Sequence, residues 1–223
     1  GLVGSEMCIR DSVFIARRER NASALDELCN EIKSNGGKAT AIPTDARDEE
    51  QVTNLFAKIS EHGQIDCVIF NIGANVFFPI KDTTARVFKK VWEMATFAGF
   101  LVGRESAKHM KNNGTIIFTG ATASVRGSSG FSAFSSAKFG LRALAQSLAR
   151  ELGPQGIHVV HTIIDGAIDH PWIEENFPET YKLKEVDGIL NPDQIAETYY
   201  NLHLQEKSVW THEIDLRPYM EKF

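Results

Sequence analysis

The chain has 223 residues and a formal charge of -5, with 43% hydrophobic and 24% charged residues. Acids and bases are interspersed, so no electrostatic footprint for nucleic acid or an anionic membrane is present. No apolar run reaches the roughly 18 residues that span a bilayer. Cys8, Cys29 and Cys67 lack paired spacing and neighbouring His ligands, which argues against a disulfide framework or zinc site and points to a reducing, cytoplasmic setting.

The opening stretch GLVGSEMCIRDS shows neither strand alternation nor helical periodicity and carries no cleavable signal pattern. It resembles translated adapter read-through, and residues 1–12 are read as a non-native leader. From residue 13 the pattern becomes regular. Val13–Ala16 is a short apolar run suited to a buried parallel strand. Leu25, Leu28, Cys29 and Ile32 recur at helical spacing until Asn35-Gly36-Gly37 ends the helix. Lys38–Pro43 reads as a second strand. A second helix carries Val52, Leu55, Phe56 and Ile59 on one face and stops at Gly63. Ile65–Phe70 is a third buried strand.

A long helix is expected from about Thr84 to Met110, followed by the strand Thr115–Phe118. A Ser- and Gly-rich loop over 120–130 leads into a helix from Phe131 to Leu152, whose stripe is Leu141, Leu144, Ala145 and Leu148 and whose stop is Gly153-Pro154. Ile157–Ile164 is a strand. The stretch 165–190, with Pro171, Pro178 and Gly188, reads as irregular and exceeds an ordinary connection, as functional lids do. Asn191-Pro192-Asp193 opens a last helix, and Val209–Leu216 is a final strand. Strands apolar on both faces alternate with helices, which predicts an α/β fold with a doubly wound parallel sheet. Ligands in such sheets bind at the carboxyl ends of the strands.

Four motifs sit just past those strand ends. The turn Asn71-Ile72-Gly73-Ala74 resembles the Asn-Asn-Ala-Gly turn of the short-chain dehydrogenase/reductase family. Thr44-Asp45 resembles the Asp this family places beside the adenine ring. Ser132–Lys138 (SAFSSAK) resembles its Tyr-x-x-x-Lys segment, and Ile164–Ile168 (IDGAI) its Pro-Gly turn under the nicotinamide. The resemblance covers the chain from Val13 onward and implies a Rossmann-like, nicotinamide-dependent oxidoreductase. Cofactor contacts are then expected at Asp45, Asn71, Gly73, Lys138, Gly166 and Ile168.

Two departures bear on function. Between the leader and Val13 there is no room for the family's first strand, glycine-rich turn and first helix, whose N–H groups cradle the pyrophosphate. Residues 13–223 are therefore read as a single truncated Rossmann-like domain with a lid at 165–190 and impaired cofactor binding. The second departure is chemical. The family's tyrosine position holds Phe134, its serine position falls on Ala121, and its helical asparagine falls on Ala95 or Thr96. Of the usual tetrad only Lys138 is retained. The chain resembles an atypical subgroup with Phe in place of Tyr.

Hydride transfer to a carbonyl leaves an alkoxide that must be protonated in place. A phenol does this when an ammonium one helical turn away stabilises its phenolate. Phe134 has no proton to give, and losing a positioned acid costs about 10²–10⁴ in rate. Lys138 can still hold the nicotinamide ribose. Thr122, Ser124, Ser135 and Ser136 offer hydroxyls nearby, and His170 in the lid is a candidate substitute acid. His158 and His161 alternate along a strand and read as packed core or interface residues.

Arg17 follows its strand where the family meets a 2′-phosphate, and Ala16 offers no acid for a ribose diol, so NADP(H) is favoured with NAD(H) possible. Asp45 is either an adenine contact or a helix N-terminal residue. The expected partners are a small-molecule substrate and further copies of the chain as a homo-oligomer, with no nucleic acid, membrane or metal. Two readings stay open: an oxidoreductase acting on a small carbonyl or hydroxyl with an atypical active site, and a catalytically degraded dinucleotide-binding sensor or partner subunit.

Overall fold

The structure, a computed structural model, describes residues 12–18, 22–111 and 113–222. The expected leader lies outside the described residues except for Ser12, which is already the first residue of strand β1 (Ser12–Arg17). Helix α1 (Ala22–Ser34) follows and buries Leu25, Cys29 and Ile32. Gly36 at φ 85° turns the chain into β2 (Lys38–Pro43), a conformation that costs glycine little. Asp48 caps helix α2 (Glu49–Ser60) by accepting the Gln51 N–H, and Val52, Leu55 and Phe56 are its buried face. Strand β3 (Cys67–Phe70) starts two residues later than expected.

The long helix expected from Thr84 has three parts. Helix α3 (Ala85–Trp92) passes into a π-helical stretch, Glu93–Phe97, and continues as α4 (Ala98–His109). Within that wide turn the Thr96 hydroxyl donates to the Ala137 carbonyl at 2.7 Å. Strand β4 (Gly114–Thr119), helix α5 (Ser132–Leu152) and strand β5 (Ile157–Ile164) match the sequence pattern. Helices α4 and α5 approach closely because two α4 residues lack side chains. A Cβ at Gly99 would fall 2.5 Å from Leu141, and one at Gly103 would fall 2.7 Å from Leu148.

The stretch 165–190 is more regular than its composition suggests. It holds the short helices α6 (Pro171–Asn176) and α7 (Pro178–Tyr181) and a 3₁₀ segment, Lys182–Val186. Each α-helix begins with Pro, whose missing N–H costs nothing there and whose φ is already helical. A parallel bridge between Ile168 and Leu190 closes the stretch at its base. Helix α8 (Pro192–His203) and strand β6 (Glu213–Leu216) end the fold, and β6 is shorter than expected because Lys207–Val209 forms a 3₁₀ turn.

All strand pairs are parallel, and their grouping differs from the expected single sheet. Strands β1 and β2 form one sheet, and β3-β4-β5-β6 form another in that order. Among the described residues β3 is bonded on one flank only, to β4, and Ile69 is 48% exposed. Within the four-stranded sheet both faces are covered. Phe70, Ile116, Phe118 and Val159 pack against α2, α4 and α5, while Ile117 and Val160 pack against Tyr199 and Leu202 of α8. All eight residues of β5 are buried. Two-sided burial of this kind is the doubly wound arrangement, and it leaves the strand ends as the place where a ligand can enter.

Candidate functional site

A cavity of about 430 Å³ opens at the carboxyl ends of β3, β4 and β5. Its walls come from the turn after β3 (Asn71, Gly73), the loop after β4 (Ala121, Thr122), the first turns of α5 (Phe134, Lys138) and the turn after β5 (Gly166, Ile168). Seven of the ten residues expected at catalytic positions or cofactor contacts therefore meet in one place, Asn71, Gly73, Ala121, Phe134, Lys138, Gly166 and Ile168, and of the nearby hydroxyls Thr122 and Ser135 join them. Three do not. Arg17, Asp45 and His170 are not part of the cavity wall.

Each of those three has another occupation. Arg17 ends β1 with an exposed side chain, and its carbonyl accepts the Thr44 N–H at 2.8 Å. Asp45 is bound by Arg47 through two guanidinium bonds, at 2.9 and 2.5 Å. The hydrogen bond from Arg47 holds its carboxyl at about 2, against the opposing effect of burial. The α2 cap is Asp48 rather than Asp45. His170, expected as a substitute acid, instead caps α6: its Nδ1 accepts the Trp172 N–H at 3.0 Å.

Lys138 is 2% exposed. Its Nζ donates to the Thr119 carbonyl at 2.8 Å and to the Ile72 carbonyl at 3.4 Å. An ammonium has three hydrogens, so one remains for a group in the cavity. Burial disfavours the charge and lowers this lysine to about 8. Phe134 lies one turn earlier on the same helix and continues an aromatic row, with ring centroids 6.5 Å from Phe131 and, from there, 5.2 Å to Phe77. Ala121 contributes only a methyl group and backbone, and its N–H donates to Ser124 Oγ at 3.1 Å.

Two polar clusters beneath the cavity are not visible in sequence spacing. In the first, the Thr122 hydroxyl donates to Asp165 Oδ1, and Arg217 pairs with Asp165 Oδ2 at 3.1 Å. Asp165 is 4% exposed and stands where the family motif has proline, which is the signal that could have drawn attention to it. In the second, His161 on β5 bonds Glu213 on β6 through Nδ1 at 2.9 Å, and Arg142 on α5 holds the same carboxylate with two bonds of 2.7 Å. Burial, together with the nearby Arg142 and Lys138 charges, pushes His161 down to about 4 despite the Glu213 bond. The imidazole is therefore neutral at pH 7, with Nδ1–H donating to Glu213 and the Nε2 lone pair facing Gly120 and Ser124. Both Nε2 and Ser124 Oγ lie within 2.7 Å of the point a Gly120 Cβ would occupy.

This arrangement of parallel strands, a loop after β3 and a buried helix lysine at the strand ends is that of the short-chain dehydrogenases, and the chain belongs to that family: the short chain dehydrogenase model matches residues 3–179. A solved short-chain dehydrogenase from Rhodopseudomonas palustris is 47% identical, with a TM-score of 0.80 over 96% of this chain and 91% of that one. Versicolorin reductase stcU of Emericella nidulans is 33% identical over 161 residues, 71% of this chain and 61% of its own length. The chain thus spans about three fifths of that curated relative. A short-chain dehydrogenase from Burkholderia cenocepacia, solved in complex with NADP, shares the fold with a TM-score of 0.82 at 22% identity, covering 93% of this chain and 86% of that one. The family binds nicotinamide dinucleotides and acts on small molecules. The donor set here fits the nicotinamide end of such a cofactor, because the buried Lys138 ammonium keeps one hydrogen directed at the cavity it lines. No described helix is long and apolar enough to cross a membrane, and no cluster of three or more metal-ligating side chains occurs among the described residues.

Proposed function

We propose that this chain is an NAD(P)(H)-dependent oxidoreductase of the short-chain dehydrogenase type that acts on a small carbonyl or hydroxyl compound in the cavity after β3, β4 and β5. The observation that carries this reading is Lys138, 2% exposed in a cavity wall with two hydrogens on backbone carbonyls and a third to spare. A buried ammonium without a carboxylate partner is costly, and the cost is rational where a ligand hydroxyl completes its donors.

Bound at this site, a nicotinamide dinucleotide gives or takes the hydride. Lys138 holds the ribose end, and Asn71, Gly73, Gly166 and Ile168 line the same cavity. Gly166 at φ 146° brings the backbone there without a side chain, and a Cβ would meet Pro218 Cδ at 2.8 Å. Phe134 excludes water and packs against substrate carbon but moves no proton. NADP(H) is favoured over NAD(H) on the exposed Arg17 at the end of β1. Self-association is supported by the exposed aromatic residues Phe88, Trp92, Phe100 and Phe139 on α3, α4 and α5. A cytoplasmic location is supported by Cys29 and Cys67, both free thiols.

Calorimetric titration of the chain with NADPH and NADH tests the reading. Binding of NADPH that weakens roughly 10- to 100-fold in Lys138→Met, the size of one charge-assisted hydrogen bond, supports it. Absence of heat with both dinucleotides, or equal affinity in the variant, overturns it.

A further inference from the structure

The cavity wall holds one hydroxyl whose proton is already committed. Thr122 Oγ1 donates to Asp165 Oδ1, and an ionised carboxylate can only accept. Asp165 is 5% exposed at its side chain, and Arg217, which also bonds Asp215, pairs with its other oxygen at 3.1 Å. With its hydrogen turned toward Asp165, the Thr122 oxygen is left with lone pairs to offer a ligand hydroxyl. Two other hydroxyl groups on the wall are otherwise engaged, and Ser128 stands exposed. Thr119 Oγ1 pairs with Tyr199 at 2.9 Å, and Ser135 Oγ donates to the Arg126 carbonyl at 3.4 Å. The position beside Thr122 that could have offered a second hydroxyl is Ala121.

We infer that the cavity takes its substrate as an alcohol, with the substrate hydroxyl donating to Thr122 Oγ1, so that the Thr122–Asp165 pair serves the oxidation of a hydroxyl. A carbonyl oxygen set against Thr122 meets lone pair with lone pair, whereas a hydroxyl there completes the row substrate O–H, Thr122 O–H, Asp165 carboxylate. The oxidation balances as follows. The carbinol carbon loses a hydride to an oxidised nicotinamide dinucleotide as the C=O bond forms. The substrate oxygen loses its proton to Thr122 Oγ1 as the Thr122 proton passes to Asp165. Phe131 and Phe134 in the same wall favour an aromatic or otherwise apolar carbon skeleton. Thr122 is then a catalytic residue, and Asp165 acts through it.

The redox half rests on the proposed dinucleotide chemistry, but the preference for a hydroxyl is a binding property and is measured without cofactor. The test is a pair of NMR shift titrations of the full chain, one with 1-phenylethanol and one with acetophenone. The alcohol is expected to bind roughly 5-fold more tightly, the size of one hydrogen bond. Thr122→Val abolishes that preference. Asp165→Asn inverts it for a geometric reason: Arg217 keeps the amide oxygen on its side, the NH₂ group faces Thr122, and the Thr122 hydrogen is released into the cavity. A merely structural Asp165 produces no inversion. Should Asp165→Asn fail to fold by circular dichroism, Thr122→Val alone decides. Equal or tighter binding of the ketone, a preference that survives in Thr122→Val, or binding of neither compound overturns the inference. Calorimetry with NADPH separates this result from the dinucleotide reading: a chain that binds no dinucleotide yet prefers the alcohol loses the proposed function and keeps the hydroxyl site.

Discussion

Glu213 of β6 reaches across the ladder to take the Nδ1–H of His161 at 2.9 Å, so that a fully buried imidazole is tied to a carboxylate 25% exposed at its side chain. The pair makes the stability of the four-stranded sheet sensitive to acid. His161 is pushed down to about 4, below its ordinary 6.5. A histidine held neutral in the fold binds fewer protons than in the unfolded chain, so its contribution is present above about pH 6.5 and is lost as the pH falls toward 4. The full difference is about 3 kcal/mol. Urea denaturation at pH 7.5 and pH 5 should show the loss in the parent chain, and His161→Gln should flatten the slope between those values. An unchanged slope in the variant would assign the acid sensitivity to other groups.

Lys138 runs the opposite risk. Its charge is desolvated, and it is lowered to about 8 from 10.5. The unfolded chain binds more protons between these values, so stability should rise with pH through that window. Replacing the lysine by methionine should stabilise the chain at pH 7 by about 1–3 kcal/mol even as it weakens dinucleotide binding, because an uncompensated buried charge leaves the core. Denaturant midpoints of the two proteins measure the difference, and a destabilised variant would mean that the bonds to the Thr119 and Ile72 carbonyls outweigh the desolvation.

Phe134→Tyr returns a phenol to a site one helical turn from that ammonium. The ring lines the cavity wall and packs among Ala133, Ala137 and Phe131. The ammonium favours the phenolate and the phenolate in turn favours the ammonium, so the new phenol should titrate below its ordinary value of about 10. Ultraviolet difference titration of the variant against the parent measures this directly, and a new phenol titrating at 10 or above would place the ammonium too far away to act on it.

Two glycines separate packing from conformational freedom. Gly120→Ala should destabilise the chain by about 1–3 kcal/mol, since its Cβ would fall 2.3 Å from His161 Nε2. Gly73→Ala, whose Cβ meets nothing within 4 Å, should leave stability nearly unchanged. Thermal unfolding of both variants checks the contrast, and equal losses would show that the His161 ring yields freely.

The strands, helix α5 and the cavity walls at Asn71, Lys138 and Gly166 are legible because each depends on local information: an apolar run, a helical stripe, or a motif just past a strand. What escapes is set by groups far apart in the chain. Thr122 and Asp165 lie 43 residues apart and meet only because β4 and β5 are adjacent. The division into two sheets is likewise a pairing property, and the apolar run Val13–Ala16 reads the same whichever neighbour it has. In 165–190 the prolines and glycine suggest irregular chain, yet Pro171 and Pro178 stand at first helical positions and start helices. His170 looked reactive by residue type and is occupied as a cap. The π-helical stretch inside the long helix has no marker in residue spacing, since its wide turn is fixed by Thr96 bonding to α5.

Among the described residues, one flank of Cys67–Phe70 has no strand partner, which matters to anyone handling the protein. Backbone amides and carbonyls that no other described strand claims, next to a half-exposed Ile69, invite one molecule to zip onto another as concentration rises. A lysine at that residue should raise the concentration at which light scattering climbs.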